Sequence, residues 1–216
     1  MNLKQYRDQF RIDMGDKSSP PMWSNDDIDG YANDAEDETC RRALLLVDST
    51  SLATEYPISA GDEGIDLHPS VLYVRRARTA SNGRLFPKVA RAMDEEVPGW
   101  EDAAPSRPVV FVPDWQSGYL RFWPPASAND VVKLTVVRTP LRPMSDDCDS
   151  PEIPERYHRA LLDWMKHLGY QKQDADTMDI AKAAQFEARF ASEFGEPSSA
   201  KDEHWALEQY YDIGAN

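Results

Sequence analysis

Cysteine and histidine, the side chains that most often bind zinc, are scarce in this sequence. The 216 residues include two cysteines, Cys40 and Cys148, and four histidines. No second cysteine or histidine stands at a zinc-binding spacing from either cysteine, and no two histidines are four residues apart, as a pair of ligands on one helix face would be. We therefore predict two reduced thiols and no helical pair of histidine ligands.

Long apolar runs and catalytic motifs are also missing. No stretch approaches the about 18 apolar residues of a membrane span, and the N-terminus has neither the apolar segment nor the cleavage site of a signal peptide. We expect a chain that neither spans a membrane nor is exported by a signal peptide. Trp115-Gln116-Ser117-Gly118 lacks the first glycine of a nucleophile elbow, and no glycine-rich phosphate loop is present. The sequence motifs of hydrolases and nucleotide-binding enzymes are therefore absent.

Basic residues are outnumbered by acidic ones, with 24 Lys and Arg against 38 Asp and Glu, and the excess of acid varies along the chain. The net charge is −14, of which residues 1–50 carry −5, residues 51–140 carry −1 and residues 141–216 carry −8. Affinity for nucleic acid comes mostly from Lys and Arg that neutralise phosphates, so a chain this acidic is not expected to grip DNA. The acids have two interpretations: a solvated helix surface that confers solubility, or an acidic wall that repels DNA and lets it slide.

Four stretches have the apolar spacing of amphipathic helices. Gly15 is placed to end the first in a left-handed cap, and Ser24 and Asp27 form a capping box that starts the second. Gly169 lies inside the third and costs on the order of 1 kcal/mol relative to Ala, so that helix is expected to end early or kink there. The four predicted helices are residues 2–14, 24–47, 154–169 and 176–194.

Residues 51–140 have a different texture, with most of the Val, Thr and Tyr and several turn clusters. Such segments favour short antiparallel strands. A short helix is possible around Lys88–Asp94. The predicted strands are residues 52–59, 71–79, 84–86, 109–113, 119–123 and 131–138.

Helices at both ends and strands in the middle predict an α+β fold. Neither helix pair can bury its apolar stripe alone, so residues 1–50 and 151–195 are expected to form a four-helix bundle. Trp164 and Phe190 should be buried in it against the first two helices. Residues 51–150 would then be an inserted antiparallel β segment, and residues 196–216 an extended C-terminal tail.

Two clusters of charge are candidate sites. Asp146, Asp147, Asp149 and Glu152 could supply the several oxygens that a hard cation requires, or they could be a solvated linker before a helix N-terminus. The basic strand with Arg75, Arg76 and Arg78 could bind nucleic acid. It could equally protect a strand edge or contact a neighbouring acidic subunit.

Several motifs resemble, in their order, the head-to-tail adaptor (connector) proteins of short-tailed bacteriophages. The resemblance covers roughly residues 1–195. The motifs are the capped block Trp23–Ile28, Val71-Leu72-Tyr73-Val74-Arg75-Arg76-Ala77, Gly118-Tyr119-Leu120-Arg121-Phe122-Trp123-Pro124-Pro125, Leu134-Thr135-Val136-Val137-Arg138-Thr139-Pro140 and the segment Pro151–His158.

The resemblance implies a structural protein of the virion, located at the head-tail junction and assembled in the host cytoplasm. Such a protein forms a ring, commonly of twelve copies, between the portal protein and the tail nozzle or tube. Genomic DNA passes through the ring without sequence-specific binding. The resemblance also implies no cofactor and no catalysis. Two alternatives are an acidic protein-binding module or DNA mimic, and a metal-dependent hydrolase that uses Asp146, Asp147 and Asp149.

Two sets of residues are candidates for the adaptor function. Aromatic and aliphatic side chains on a tether suggest docking, and the tail is predicted to dock on the portal through Trp205, Leu207, Tyr210, Tyr211 and Ile213. The acids of the second predicted helix are candidates to line the DNA path, namely Asp26, Asp29, Asp34 and Asp37.

Overall fold

The computed structural model describes residues 1–81, 83–172 and 178–197. Their elements, in chain order, are α1 (Leu3–Met14), α2 (Asn25–Ala43), β1 (Leu46–Asp48), β2 (Glu55–Ile58), β3 (Gly64–Asp66), β4 (Val71–Thr79), β5 (Gly83–Pro87), α3 (Ala90–Glu96), β6 (Val110–Gln116), β7 (Tyr119–Trp123), β8 (Asp130–Arg138), α4 (Leu161–Gln171) and α5 (Ile180–Phe194). Two 3-10 turns lie at Trp100–Asp102 and Glu155–Tyr157.

The chain divides into two compact units. Met1–Leu46 and Thr139–Pro197 form the helical unit, and Val47–Arg138 form the sheet unit. Along the described ranges, no helix is both long and apolar enough to cross a membrane.

Side chains at their ends define the first two helices. Asn2 accepts a hydrogen bond from the backbone of Gln5, whose side chain accepts from the backbone of Asn2. Ser24 and Asp27 make the same reciprocal pair at the start of α2, which confirms the predicted capping box. Gly15 closes α1 with a left-handed φ of 69°. These local interactions satisfy backbone groups that the helices themselves leave without a partner.

One apolar core holds the helical unit together. Tyr6 and Phe10 of α1, Ile28 of α2 and Met165 of α4 are fully buried in it. The hydroxyl of Tyr6 donates to the carbonyl of His158 at 2.7 Å, which satisfies its only polar group inside the core. The apolar stripes seen in the sequence are therefore buried against one another.

The third predicted helix begins later than expected. Pro154 has an extended ψ of 136° and precedes the 3-10 turn, and the α-helix starts only at Leu161. The side chain of Glu36 accepts the backbone N–H groups of Glu152 and Ile153, at 2.5 and 3.4 Å. These bonds hold the segment against α2 ahead of the turn. The helix then runs through Gly169 to Gln171, so the expected early end at the glycine is wrong.

The sheet unit is built on eight strands in the order β1-β8-β4-β5-β6-β7-β3, with β2 also paired to β8. Neighbours are antiparallel in the registers described, except that β5 and β6 run parallel. One face of β4, β5 and β8 is buried through residues such as Val74, Leu85 and Leu134. In a smaller apolar cluster, Met93 of α3 and Trp100 of the 3-10 turn Trp100–Asp102 pack against β6.

The predicted fold class, a four-helix bundle with an inserted β segment, is wrong. The described chain is a mixed α/β structure with an eight-stranded sheet and five α-helices. The physical reason is that the middle of the chain buries an apolar core of its own, with Phe111, Leu120, Phe122 and Val136 almost fully inaccessible. A segment with its own core is a structural layer in itself and not an appendage of a helical bundle.

Candidate functional site

A cleft with acidic and aromatic walls opens on the helical unit. Its volume is about 420 Å³, and it lies between α2, α4 and the residue that follows β8. The acidic side chains come from α2 and the apolar side chains from α4, so the cleft places carboxylates next to an apolar surface. The lining residues are Asp34, Asp37, Glu38, Arg41, Thr139, Trp164 and Leu168.

Trp164 is held in place from several sides. Its ring stacks on His167 with centroids 4.7 Å apart and packs on Phe190 at 4.9 Å. The guanidinium of Arg42 lies 4.8 Å from the Trp164 ring centroid, and its Nε donates to Glu38 Oε1 at 2.6 Å. A cation held over an aromatic face at this distance is stabilising. The aromatic wall of the cleft is therefore packed against His167, Phe190 and Arg42.

The expected burial against the first two helices is confirmed in part. Phe190 is fully buried, but its ring packs on Trp164 of α4 and Phe194 of α5, and from α2 the Arg42 guanidinium lies 5.2 Å from its centroid. Trp164 packs against the core but stays partly accessible, because one side of it lines the cleft.

The acids of the cleft are not fully compensated. Burial raises the pKa of Asp34. Burial also raises the pKa of Asp37, and the charge of Asp34 adds to that rise while Arg41 opposes it. A raised pKa means that the ionised form lacks part of the stabilisation that water would provide. A cationic group that entered the cleft would supply it.

The four candidate channel acids have different surroundings. Asp26, Asp34 and Asp37 are exposed on α2. Asp29 is partly buried, and its two carboxylate oxygens accept from Nε and Nη2 of Arg7 at 2.6 and 2.7 Å. Asp29 is therefore neutralised inside the helical unit, whereas the other three are accessible.

The acidic loop before α4 is organised by hydrogen bonds. The Asp149 carboxylate accepts the backbone N–H groups of Ser145 and Asp146, each at 2.9 Å, and Asp147 pairs with Arg7 at 2.5 Å. Glu152 accepts from the backbone N–H of Leu141 at 2.8 Å. Within the part of the chain that the structure describes, no group of three or more Asp, Glu, His or Cys side chains is placed to hold a metal ion. The candidate metal residues therefore do not converge.

Glu36 is a buried carboxyl that the sequence reasoning did not single out. It is 2% exposed, and burial raises its pKa to about 7 in spite of the hydrogen bonds from Glu152 and Ile153. The signal was present, because Glu36 lies four residues after Ala32 on the apolar face of α2. An acid on such a face is expected to be buried.

A basic patch occupies the exposed face of the sheet unit. Arg78 of β4 lies opposite Arg84 of β5 and opposite Lys133 of β8, and Arg76 lies opposite Thr135. Residues directly opposite in antiparallel strands share one face of the sheet. The sequence pointed to Arg75, Arg76 and Arg78, and all three are exposed. Arg75 falls in the register irregularity between Val74 and Arg76, so the strand pairing places only Arg76 and Arg78 on this face. The sequence could not show that Arg84 and Lys133 would lie beside them.

Arg121 of β7 connects the 3-10 turn Trp100–Asp102 to the sheet. Its guanidinium lies 4.3 Å from the ring centroid of Trp115 and 5.0 Å from that of Trp100, and Nη2 donates to the carbonyl of Glu101 at 3.2 Å. Glu63 completes the group as an ion pair at 3.2 Å. Arg121, the arginine of the Gly118–Pro125 motif, therefore stabilises the packing of the sheet unit.

The predicted docking residues of the tail lie outside the described residues. They are Trp205, Leu207, Tyr210, Tyr211 and Ile213.

Comparisons with known proteins give the family. A search of curated proteins finds no match to this chain. The family described as SU10 adaptor protein matches residues 1–209, which is nearly the whole sequence. This match confirms the resemblance to phage head-to-tail adaptors and makes the chain a structural component of the virion. The chain therefore belongs to the SU10 adaptor protein family.

Proposed function

We propose that this chain forms a ring between the portal protein and the tail nozzle or tube, with genomic DNA passing through the centre. The observation that carries the proposal is the family match over residues 1–209. The proposed ring has twelve copies, is assembled in the host cytoplasm and acts through binding alone, without catalysis or a cofactor.

The proposal is tested by mixing the purified chain with a cognate portal ring and imaging the mixture by electron microscopy. A layer of regular stoichiometry on one end of the portal is the expected result. Portal rings that stay bare at saturating concentrations of the chain would remove this function. A portal from an unrelated phage is the control for non-specific adhesion.

The C-terminal tail is proposed to dock on the portal, in a groove or between neighbouring portal subunits. Each of the five tail side chains contributes about 1.5–3 kcal/mol if fully buried. Ordering about ten residues costs roughly 1–2 kcal/mol apiece, so a single tail binds weakly. Many tails on one ring act together through their effective concentration. Removal of residues 201–216 is expected to leave a folded chain that no longer joins portal rings. Normal joining by this truncated chain would contradict the docking of the tail but not the ring function.

Acids of α2 are proposed to approach the DNA path, with Asp26 as the strongest candidate. Asp26 is exposed at the start of α2, whereas Asp29 is neutralised by Arg7. Asp34 and Asp37 line a partly dehydrated cleft, which is less suited to a hydrated repulsive wall. Repulsion of DNA is screened beyond about 8–10 Å. Particles with Asp26→Lys are therefore expected to eject DNA abnormally while their rings assemble, with Asp66→Lys on the sheet unit as the matched control.

A further inference from the structure

Three arginines on the sheet unit form a row of like charge. Arg78 lies directly opposite Arg84, and Arg76 lies two residues before Arg78 on the same strand. We call Arg76, Arg78 and Arg84 the arginine row. Like charges directly opposite each other in a sheet are destabilising. Lys133, on the other side of Arg78, is paired with Glu55 at 2.6 Å. Over the described ranges, the three arginines of the row have no such carboxylate partner.

An exposed aromatic ring extends the row. The Arg84 guanidinium lies 5.3 Å from the centroid of Phe86, which is 52% exposed. Exposed arginine beside exposed aromatic surface is the composition of protein interfaces, and such residues supply much of their binding energy. An unfavourable charge pattern next to an accessible aromatic ring is explained by a partner that covers both.

The helical unit offers the complementary surface. Its cleft presents Asp34 and Asp37 with raised pKa values, beside apolar wall from Trp164 and Leu168. A guanidinium that entered this cleft would meet carboxylates for paired hydrogen bonds and an aromatic residue for stacking. The row and the cleft thus match in charge and in their aromatic content.

We infer that the arginine row of one copy docks in the Asp34–Asp37 cleft of a second copy of this chain. Every copy carries both surfaces, so the contact is heterologous and repeats from copy to copy, which closes into a ring when the rotation allows. The inference rests on the proposed ring function and names the surfaces through which neighbouring subunits meet. Duplex DNA is the less favoured occupant of the row, because the chain as a whole carries a charge of −14.

The test uses two charge-reversed full-length chains. In the row-reversed chain Arg78→Glu and Arg84→Glu make the row acidic, and in the cleft-reversed chain Asp34→Lys and Asp37→Lys make the cleft basic. For each reversed chain alone, the concentration at which half of the portal rings carry an adaptor ring should rise at least tenfold. An equimolar mixture should recover it, because the acidic row then meets the basic cleft and the unchanged row meets the unchanged cleft. Native mass spectrometry should detect the two chains in a strict 1:1 ratio.

Two controls separate this contact from general charge effects and misfolding. A chain with Arg91→Glu and Arg142→Glu has the same net charge as the row-reversed chain but is changed at other exposed positions, and it should assemble normally. A chain with all four reversals should assemble by itself. Recovery in the mixture also shows that each reversed chain is folded.

Each contrary outcome has its own meaning. Unreversed chains that never associate on portal rings overturn the proposed function and this contact with it. Unreversed rings that the row reversal leaves intact overturn only the contact. Recovery by the fourfold-reversed chain but not by the mixture identifies a contact within one chain and rejects the contact between copies. A loss of DNA affinity in the row-reversed chain, with assembly unchanged, identifies DNA as the occupant.

Discussion

Gly169 of α4 lies directly against the ring of Phe10 in α1. A Cβ atom at position 169 would stand 2.8 Å from Phe10 Cζ and 3.3 Å from Met14 Cε. Real Cβ contacts are longer than the first of these distances, so the two helices approach each other as they do because residue 169 has no side chain. The glycine that looks like a defect in helix propensity is a requirement of packing.

Gly169→Ala is therefore expected to destabilise the chain. Overpacking a core costs typically about 1–3 kcal/mol, and the gain of about 1 kcal/mol in helix propensity offsets part of it. Urea unfolding should show a net loss of up to about 2 kcal/mol. Gly30→Ala on α2 is the matched control, since nothing lies within 4 Å of its Cβ position, and it should stabilise by about 0.5–1 kcal/mol. Two variants that shift stability in the same direction would contradict this account of Gly169.

Phe190 and Trp164 should differ in their contribution to stability. Phe190 is fully buried, and Phe190→Ala should cost about 3–5 kcal/mol. Trp164→Ala should cost less, because one side of its ring lines the open cleft. Thermal unfolding of the isolated chain measures both. A melting temperature for Phe190→Ala within a degree of the parent would show that the packing of α5 is misassigned.

Glu36 should make the chain less stable as the pH rises from about 4.5 to about 7. Its pKa is about 7 in the folded state and has the ordinary value of 4.5 in the unfolded state. Between these values the folded state binds the extra proton, so the free energy of unfolding falls with rising pH, by up to about 3 kcal/mol. Glu36→Gln keeps the oxygen that accepts from Glu152 and removes the titration. Urea unfolding from pH 4.5 to 8 should find the variant more stable than the parent at pH 8, and parallel pH profiles for the two would refute this assignment.

The ion pair between Asp48 and Arg138 should resist acid and depend on both partners. Arg138 Nε donates to Asp48 Oδ2 at 2.7 Å, and both side chains are 9% exposed. Burial opposes ionisation, but hydrogen bonds from Ser51, Thr50 and Arg138 outweigh it and hold the pKa of Asp48 well below its ordinary range. The stabilisation is therefore complete above pH 3.8 and is lost only as the pH falls towards the folded-state pKa.

Removal of one partner leaves the other charge buried without its main counter-ion. Arg138→Met should cost about 3–5 kcal/mol. The double variant Asp48→Asn with Arg138→Met should cost less than the sum of the two single changes, since no buried charge is left. Urea unfolding of the three variants measures this coupling, and strictly additive costs would contradict it.

Local pattern explains why some elements could be predicted closely. The strand Val71–Thr79 and the strand Tyr119–Trp123 were predicted at their observed bounds, because their residues favour strands and turn residues flank them. The strands Leu46–Asp48 and Gly64–Asp66 were missed, since three residues are too few to show a period. They form only because β8 and β7 provide partners.

The candidate site was predictable in its parts and not in its assembly. The acids of α2 and the basic strand were recognised from residue type alone. That Asp29 is paired with Arg7, whereas Asp34 and Asp37 share a cleft with Trp164, depends on how helices far apart in sequence pack. The row that joins Arg84 to Arg78 likewise depends on strand register.

The sequence by itself determined the features that act over a few residues. These are the capping box of Ser24 and Asp27, the left-handed end of α1 at Gly15, the strand Val71–Thr79 and the ordered motifs that identify the adaptor family. Only the tertiary structure decided the eight-stranded sheet, the late start of α4 and the raised pKa of the buried Glu36. The physical reason is that hydrogen bonds and turns within three or four residues depend on side chains that are neighbours in the sequence. Burial and strand register depend instead on which distant segments come together.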